Sequence, residues 1–378
     1  MSRVVVLGGG FGGIAAATRL RALLAPTDEV VLVDRRRDFV MGFRKTWAVV
    51  GSGTLADGSR SLASLGPSGI EVREGTIEAI DPVGRRVRID DGWLTADALV
   101  IALGAEPAMD AIPGLADHGI NVWDRAQGSR GHTALEAMAS GRLLIGIFGV
   151  PYVCPPGPFE LALLARERLA ERGDATVEVF GPMPIALPVV GPAESAKLEA
   201  LLEVARIPFH RAHTAVEVDA RSVRFADGET MAYDVLFAIP PHRCPQVLVD
   251  AGLAAPGGWM AVDPATLESP FPWVYGIGDC TVIKLANGLP LPKAGSFAEA
   301  EGYVAAERIA DAIAGRASAA SFEGEGTCYA EVGGGRAVEV QGRFLTDPPL
   351  VAIKEPSAEH VASKVAFESE RLRAWFGS

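Results

Sequence analysis

Cysteine is scarce in this chain: four in 378 residues, at positions 154, 244, 280 and 328, too few for a disulfide scaffold. In a reducing compartment a pair among so few is more readily catalytic than structural. Basic charge is also short, with 35 lysines and arginines against 47 acids and a net charge of −12. With no basic stripe to neutralise phosphates, a nucleic-acid partner is excluded. No apolar run reaches the length needed to span a bilayer. The histidines (His118, His132, His210, His213, His242 and His360) show no metal-ligand spacing with cysteine or acid neighbours, so no metal is expected. The local pair His210-x-x-His213 reads as surface. The first strand begins at Val4 and leaves no room for a signal peptide, so a cytoplasmic chain is expected.

Glycine, by contrast, is concentrated where the chain opens. Val4-Val5-Val6-Leu7 is a short apolar run of the kind that forms a strand buried on both faces. Gly8-Gly9-Gly10-Phe11-Gly12-Gly13 follows at once, with G-x-G-x-x-G spacing at Gly8, Gly10 and Gly13. Gly8 permits the tight turn, Gly10 lets a pyrophosphate approach the backbone, and Gly13 lets helix and strand pack closely. The helix runs on from Ile14, and the next strand, Val30 to Val33, delivers Asp34 about twenty residues after the last glycine. An acid there suits a ribose 2′-hydroxyl and repels a 2′-phosphate. Strand, glycines, helix, strand and acid in register predict a dinucleotide site, with Phe11, Gly12, Arg35 and Ile77 among its further contacts. After Asp34, the stretch from Gly42 to Gly53 reads as a loop rich in glycine and aromatics.

One phrase occurs twice. Val87-Arg88-Ile89-Asp90-Asp91-Gly92, then Asp97-Ala98-Leu99-Val100, is echoed by Val223-Arg224-Phe225-Ala226-Asp227-Gly228 and Asp234-Val235-Leu236-Phe237. The offsets are 136 and 137 residues, which implies a duplicated nucleotide-binding fold. The reading is α/β: two Rossmann-like dinucleotide-binding domains and a small C-terminal α+β domain. Residues 1–108 and 247–315 form the first, 109–246 the second, and 316–378 the last. Ser296 and Glu299 have capping-box spacing before a helix from about Phe297 to Ala314, and Ser357 is the N-cap of a last helix.

The opening fingerprint, the Leu103-Gly104-Ala105 turn, the strand ending in Gly276-Ile277-Gly278-Asp279 and the duplication resemble the two-dinucleotide-binding-domain flavoproteins. Three stretches narrow the resemblance: Cys154-Pro155-Pro156-Gly157-Pro158-Phe159-Glu160, Leu291-Pro292-Lys293-Ala294-Gly295, and Thr327-Cys328-Tyr329-Ala330. They look like sulfide:quinone oxidoreductases and the flavoprotein subunit of flavocytochrome c sulfide dehydrogenase. That resemblance implies FAD in the first domain, with Leu103, Gly104, Gly278, Lys293 and Ala294 as contacts and Asp279 on the ribityl chain. It implies a redox-active Cys154–Cys328 disulfide, with Cys328 the sulfur that attacks the flavin C4a carbon. It also implies Glu160 as proton acceptor, and it leaves Cys244 and Cys280 as small buried residues. Cys154 lies just before a helix near Pro158, where the helix dipole favours a thiolate; packing of a small side chain is the plain alternative. For Glu160 that alternative is a dipole-stabilised helix acid. Lys293 with the following helix N-terminus would stabilise the anion of a reduced flavin, or else is a solvated loop lysine.

In the second copy the turn reads Gly146-Ile147-Phe148-Gly149-Val150-Pro151-Tyr152-Val153-Cys154-Pro155-Pro156. Proline has no N–H to offer a pyrophosphate, and the strand that should end in a ribose-binding acid ends in Phe180-Gly181. Nicotinamide chemistry is therefore disfavoured. No third cysteine precedes Cys154, and no thiol near Gly42-Phe43 can tether a flavin, so FAD should be non-covalent. The expected function is oxidation of sulfide or a related small thiol, with a quinone or c-type cytochrome as acceptor. The rivals are an NAD(P)H-dependent flavin oxidoreductase and a non-catalytic FAD-binding redox module. The last helix, with Val361, Val365, Leu372 and Trp375-Phe376 among cations, either closes on the core or makes a peripheral contact with the inner face of a membrane.

Overall fold

The computed structural model describes every residue except Asp91 and Ser378. Strand β1 (Arg3–Leu7) leads into helix α1 (Phe11–Leu23), β2 (Glu29–Asp34), helix α2 (Arg44–Val50), β3 (Glu71–Glu74) and β4 (Ala98–Ile101). A second run follows: β5 (Ile120–Asn121), α3 (Gly128–Ala137), β6 (Arg142–Ile147), α4 (Gly157–Ala170), β7 (Thr176–Phe180), β8 (Phe209–His210) and β9 (Val235–Ile239). The chain then returns to the first sheet with β10 (Val274–Gly276) and helix α5 (Gly295–Ile313). It ends in the antiparallel strands β11 (Glu325–Gly333), β12 (Arg336–Arg343) and β13 (Leu350–Ile353) and helix α6 (Ala358–Phe376).

The two large sheets are parallel and ordered alike, β10-β4-β1-β2-β3 and β5-β9-β6-β7-β8. A parallel sheet covered on both faces needs strands that are apolar throughout, and Val4, Val5, Val6 and Leu7 are all fully buried. The repeated phrase falls on matching elements. Its first half forms the middle strand of a three-stranded antiparallel ribbon (Arg86–Ile89 and Ser222–Phe225), its second half the inner strands β4 and β9. The duplication read from sequence is thus a duplication of structure.

Close packing of α1 on α5 fixes the mouth of the first sheet. A Cβ on Gly302 would lie 2.5 Å from the Gly12 carbonyl oxygen, and one on Gly12 would lie 2.9 Å from that of Ala298. Only small residues permit this approach, which is why α1 reads Gly-Gly-Ile-Ala-Ala-Ala.

Two local expectations change, and of the two alternatives for the last helix one is seen. The stretch from Gly42 to Gly53 is not all loop, because residues 44–50 form α2, whose Val49 and Val50 are buried in the second unit's core. The expected capping box is not made: α5 starts at Gly295, with Ala294 as N-cap and no side-chain cap bond. The last helix closes on the protein itself. Lys364, Glu368, Leu372 and Trp375 share its buried face, and Trp375 meets Phe11 and Phe39 edge-on at 5.6 Å each. Val365 alone of its large apolar residues is exposed. No described helix is long and apolar enough to cross a membrane. Ser357 does cap the helix, its side chain accepting from the His360 N–H.

Candidate active site

The glycine turn has the geometry of a phosphate cradle. Gly8 has φ +109°, a value L-residues avoid, and a Cβ on Gly13 would lie 1.7 Å from the Gly8 carbonyl oxygen. Gly10 is exposed with open space where a side chain would be. Behind it, α1 has no capping side chain and no acid in its first turn, so its N-terminal N–H groups are free for an anion. Asp34 takes the Gly9 N–H at 2.6 Å and the Arg36 N–H at 2.7 Å, which fixes its carboxylate at the end of β2. Gly75 donates its N–H to the Asp34 carbonyl, which brings the strand starting at Ile77 to the same end. Arg35 is exposed, and the Phe11 ring serves packing between α1 and α6.

At the far end of the cradle, Gly104 and Gly278 both have positive φ, +69° and +71°. The Gly278 N–H donates to the buried Glu301 carboxylate, which fixes the turn that presents Asp279. Burial raises the Asp279 carboxyl, with Lys293 and Lys45 opposing the rise. Its carboxylate makes no hydrogen bond to any described residue, which leaves it for a hydroxyl-bearing ligand. The residues present therefore fit a dinucleotide lying from Asp34 past Gly10 to Asp279.

Cys154 is exposed, with φ +57°, and is held at both ends of its backbone. Its N–H donates to the Lys293 carbonyl at 2.9 Å, and its carbonyl accepts the Gly157 N–H at 2.9 Å. The bond to Lys293 joins the Cys-Pro-Pro-Gly and Leu-Pro-Lys segments, which lie 139 positions apart at Cys154 and Lys293. Trp123 donates its indole N–H to the Val153 carbonyl, and a Cβ on Gly157 would strike that indole at 2.9 Å and the Cys154 sulfur at 3.1 Å. Cys328, on β11, packs half-buried against the second unit's core. The two thiols are free and lie within electrostatic reach of one another and of Glu160.

Although the residue is exposed, the protein packed around its sulfur pushes the Cys154 thiol up, with Cys328 and Glu160 adding to the rise. Burial likewise pushes Cys328 up to about 11, against the lowering effect of the Ser296 hydroxyl. The thiolate expected at the helix start is opposed in the reduced pair. Lost solvation and neighbouring negative charge act against a dipole effect of at most about 2 kcal/mol. Cys244 and Cys280 are buried, the latter donating to the Ile277 carbonyl.

Glu160 and Lys293 are both buried. Glu160 forms an ion pair with Lys364, and its Oε1 also accepts the Glu331 N–H at 3.2 Å. Lys364 in turn donates to Glu331 Oε1 at 2.9 Å, and the Trp47 indole N–H donates to that same oxygen. Burial raises Glu160, and the two carboxylates hold Lys364 in its charged form against the opposing effect of burial. A carboxyl raised this way sits nearer the range where proton transfer at neutral pH is efficient. The Lys293 ammonium does not reach out as a free charge. It donates to the carbonyls of Asp279 (2.6 Å) and Thr281 (3.0 Å) and lies 3.4 Å from the centre of the Trp259 ring. The expected histidine pair is peripheral, with His210 Nε2 2.7 Å from Glu178, and no metal-binding cluster exists among the described residues.

A cavity of about 870 Å³ opens on the opposite face of β11, lined by Thr327, Tyr329, Ser296, Tyr303, Phe367 and Arg371 among others. Side chains alternate along a strand, so Thr327 and Tyr329 face this cavity while Cys328 between them turns to the core. Ser296 touches both sides. Sequence reasoning missed Lys45, Trp123, Glu331 and Lys364. Lys364 alone left a signal, its i, i+4, i+8 spacing with Glu368 and Leu372 on the buried face of α6.

A family model described as pyridine nucleotide-disulphide oxidoreductase matches residues 2–302. The sulfide-quinone reductase of Aquifex aeolicus is 27% identical over 384 residues, covering 96% of this chain and 86% of that protein. The mitochondrial sulfide:quinone oxidoreductase of Mus musculus is 25% identical over 376 residues, covering 91% and 79%. The solved sulfide:quinone oxidoreductase of Aquifex aeolicus superposes with a TM-score of 0.90 at 23% identity, over 100% of this chain and 92% of that one.

Proposed function

Since the chain belongs to the pyridine nucleotide-disulphide oxidoreductase family and is an FAD-dependent oxidoreductase, we propose that it oxidises sulfide at Cys154 and Cys328 and delivers the electrons to a quinone. The observation that carries this reading is the 2.9 Å bond from the Cys154 N–H to the Lys293 carbonyl. It draws the cysteine loop onto the segment leading into α5, so that Cys154 with Glu160, Cys328 and the ribityl-side Asp279 converge from three separate parts of the chain.

In the oxidised enzyme the two sulfurs are joined. Hydrosulfide attacks the exposed Cys154 sulfur, forming a Cys154 persulfide and breaking the bond to Cys328, which departs as a thiolate. Glu160 takes the proton released as hydrogen sulfide becomes hydrosulfide, and Lys364 holds the carboxylate in place. Closure of the Cys328 sulfur onto the persulfide gives a trisulfide and releases one proton and two electrons. FAD, when bound, supplies the two-electron acceptor. A thiolate on Cys328 is unfavourable in its buried setting, which drives that sulfur to give up its charge.

The cavity behind β11 supports a quinone as the final acceptor. Tyr303, Tyr329 and Phe367 offer ring faces to a flat aromatic ligand one strand away from Cys328. A nicotinamide substrate is not supported. Where β1 reaches α1 across residues 8–10, β6 reaches α4 across 148–156, through Pro151, Pro155 and Pro156. The helix N-terminus is thereby removed from the strand end where a pyrophosphate would sit.

The test is an anaerobic titration of the FAD-loaded enzyme with sulfide, and separately with NADH. The expected result is bleaching of the oxidised flavin band by sulfide alone, abolished in Cys328→Ser with FAD retained. Bleaching by NADH, or unimpaired sulfide reduction in Cys328→Ser, would overturn the proposal.

A further inference from the structure

We infer that Lys45, Arg36 and Arg125 form a three-cation clamp on the pyrophosphate of FAD, and that Arg125 makes cofactor binding a latch between the two nucleotide-fold units. The three come from separate places: the first turn of α2, the loop after β2, and the loop between β5 and α3 in the second unit. Arg125 already crosses between units, donating from Nη1 to the Asp38 carbonyl at 2.9 Å. Lys45 is half-buried, and its side chain has no hydrogen bond or ion pair among the described residues.

Like charges crowd here. Arg36 and Arg125 both bear unfavourably on Lys45, and Arg36 bears unfavourably on Arg125. Lys45 also faces Cys154 and Asp279, and its charge reaches His242. The nearby carboxylates Asp34 and Asp38 favour the charge on Arg125 and offset only part of the crowding. Asp34 is engaged by the Gly9 and Arg36 N–H groups, and Asp38 is exposed. Burial and this crowding pull the Lys45 ammonium down to about 8. Two half-buried cations, Lys45 and Arg125, kept beside the exposed Arg36 at such a cost call for an anion.

Position identifies the anion. Asp34 marks the ribose end of the cradle and Asp279 the ribityl end. Lys45 is within electrostatic reach both of Arg36, whose N–H binds Asp34, and of Asp279, so it lies between the two ends, near the open Gly10. The middle of FAD is its pyrophosphate. The free N-terminus of α1 would hold it from one side and the three cations from the other, with attraction to the phosphates offsetting the repulsion among the cations. Because Arg125 belongs to the second unit, the same contact fastens that unit to the first.

The experiment compares wild type, Lys45→Met, Arg125→Met and Lys45→Arg, each stripped of FAD and reloaded. It measures the FAD dissociation constant by flavin fluorescence quenching and the melting temperature with and without FAD. Loss of one charge-assisted phosphate contact weakens binding by about tenfold or more. The clamp predicts that loss in both methionine variants and near-normal affinity in Lys45→Arg. It also predicts a signature that a scaffold residue would not give: FAD-free methionine variants melt at or above the wild-type temperature, because repulsion is relieved, while the FAD-loaded forms melt below it. Affinity within twofold of wild type in both methionine variants, or equal destabilisation with and without FAD, would overturn the inference. No sulfide enters these measurements, so they stand or fall apart from the substrate reading.

Discussion

Substituting Lys364 with Met tests whether the buried charge network around Glu160 is organised as described. Lys364 is 1% exposed and neutralises Glu160, itself 2% exposed, while also donating to Glu331. Methionine keeps the stem's packing but removes the charge, leaving two carboxylates facing one another in the core. Breaking a buried pair by removing one partner costs about 3–5 kcal/mol. Glu160 can escape part of that cost by binding a proton, since burial already raises it. The penalty therefore depends on pH in a defined direction. With the folded value above the unfolded one of about 4.3, the variant's deficit is small at low pH. It grows as pH rises through that value and levels off above the folded one. Urea unfolding of FAD-loaded wild type and Lys364→Met at pH 5 and pH 8 reads this out directly. A deficit of about 3 kcal/mol at pH 8 that shrinks at pH 5 and is partly recovered in Lys364→Met/Glu160→Gln is expected. A deficit below about 1 kcal/mol, or one that does not change with pH, would refute the network.

Further outcomes follow from the same geometry. Glu160→Gln should slow sulfide-dependent flavin reduction by about 10²-fold in stopped flow, with FAD affinity unchanged; an unchanged rate would remove Glu160 from proton transfer. Gly13→Ala should abolish FAD retention on gel filtration, because its methyl would lie 1.7 Å from the Gly8 carbonyl oxygen; normal retention would mean the turn is not the cradle. Phe367→Ala should raise the quinone KM by about tenfold while leaving the sulfide half-reaction untouched, since a lost aromatic contact is worth about 1 kcal/mol beyond its area. An unchanged KM would place the acceptor elsewhere than the cavity behind β11.

The cradle was legible in the sequence because its constraints are local. Glycine spacing, a buried strand and an acid about twenty residues on are each readable within one unit of structure. The duplication was legible because one phrase recurs on matching ribbons. What stayed hidden depends on chain segments meeting at a distance. Arg125 matters only because its loop reaches Asp38, and Lys364 only because α6 buries it against α4 and β11. Helix α2 was missed because Gly42, Gly51 and Gly53 bracket seven residues that carry no side-chain cap. The setting of Cys154 was only half legible for the converse reason. A helix N-terminus is visible in sequence, whereas the negative neighbours and lost solvation that oppose it are visible only in the folded chain.

Peptide mapping of the air-oxidised, FAD-loaded enzyme tests the central claim most directly. Free thiols are alkylated before digestion, once without sulfide and once after anaerobic addition of it. The account predicts a peptide pair joined through Cys154 and Cys328 in the untreated enzyme, and the same pair heavier by one sulfur atom after sulfide is added. Recovery of Cys154 and Cys328 as separately alkylated thiols in the oxidised enzyme would contradict it.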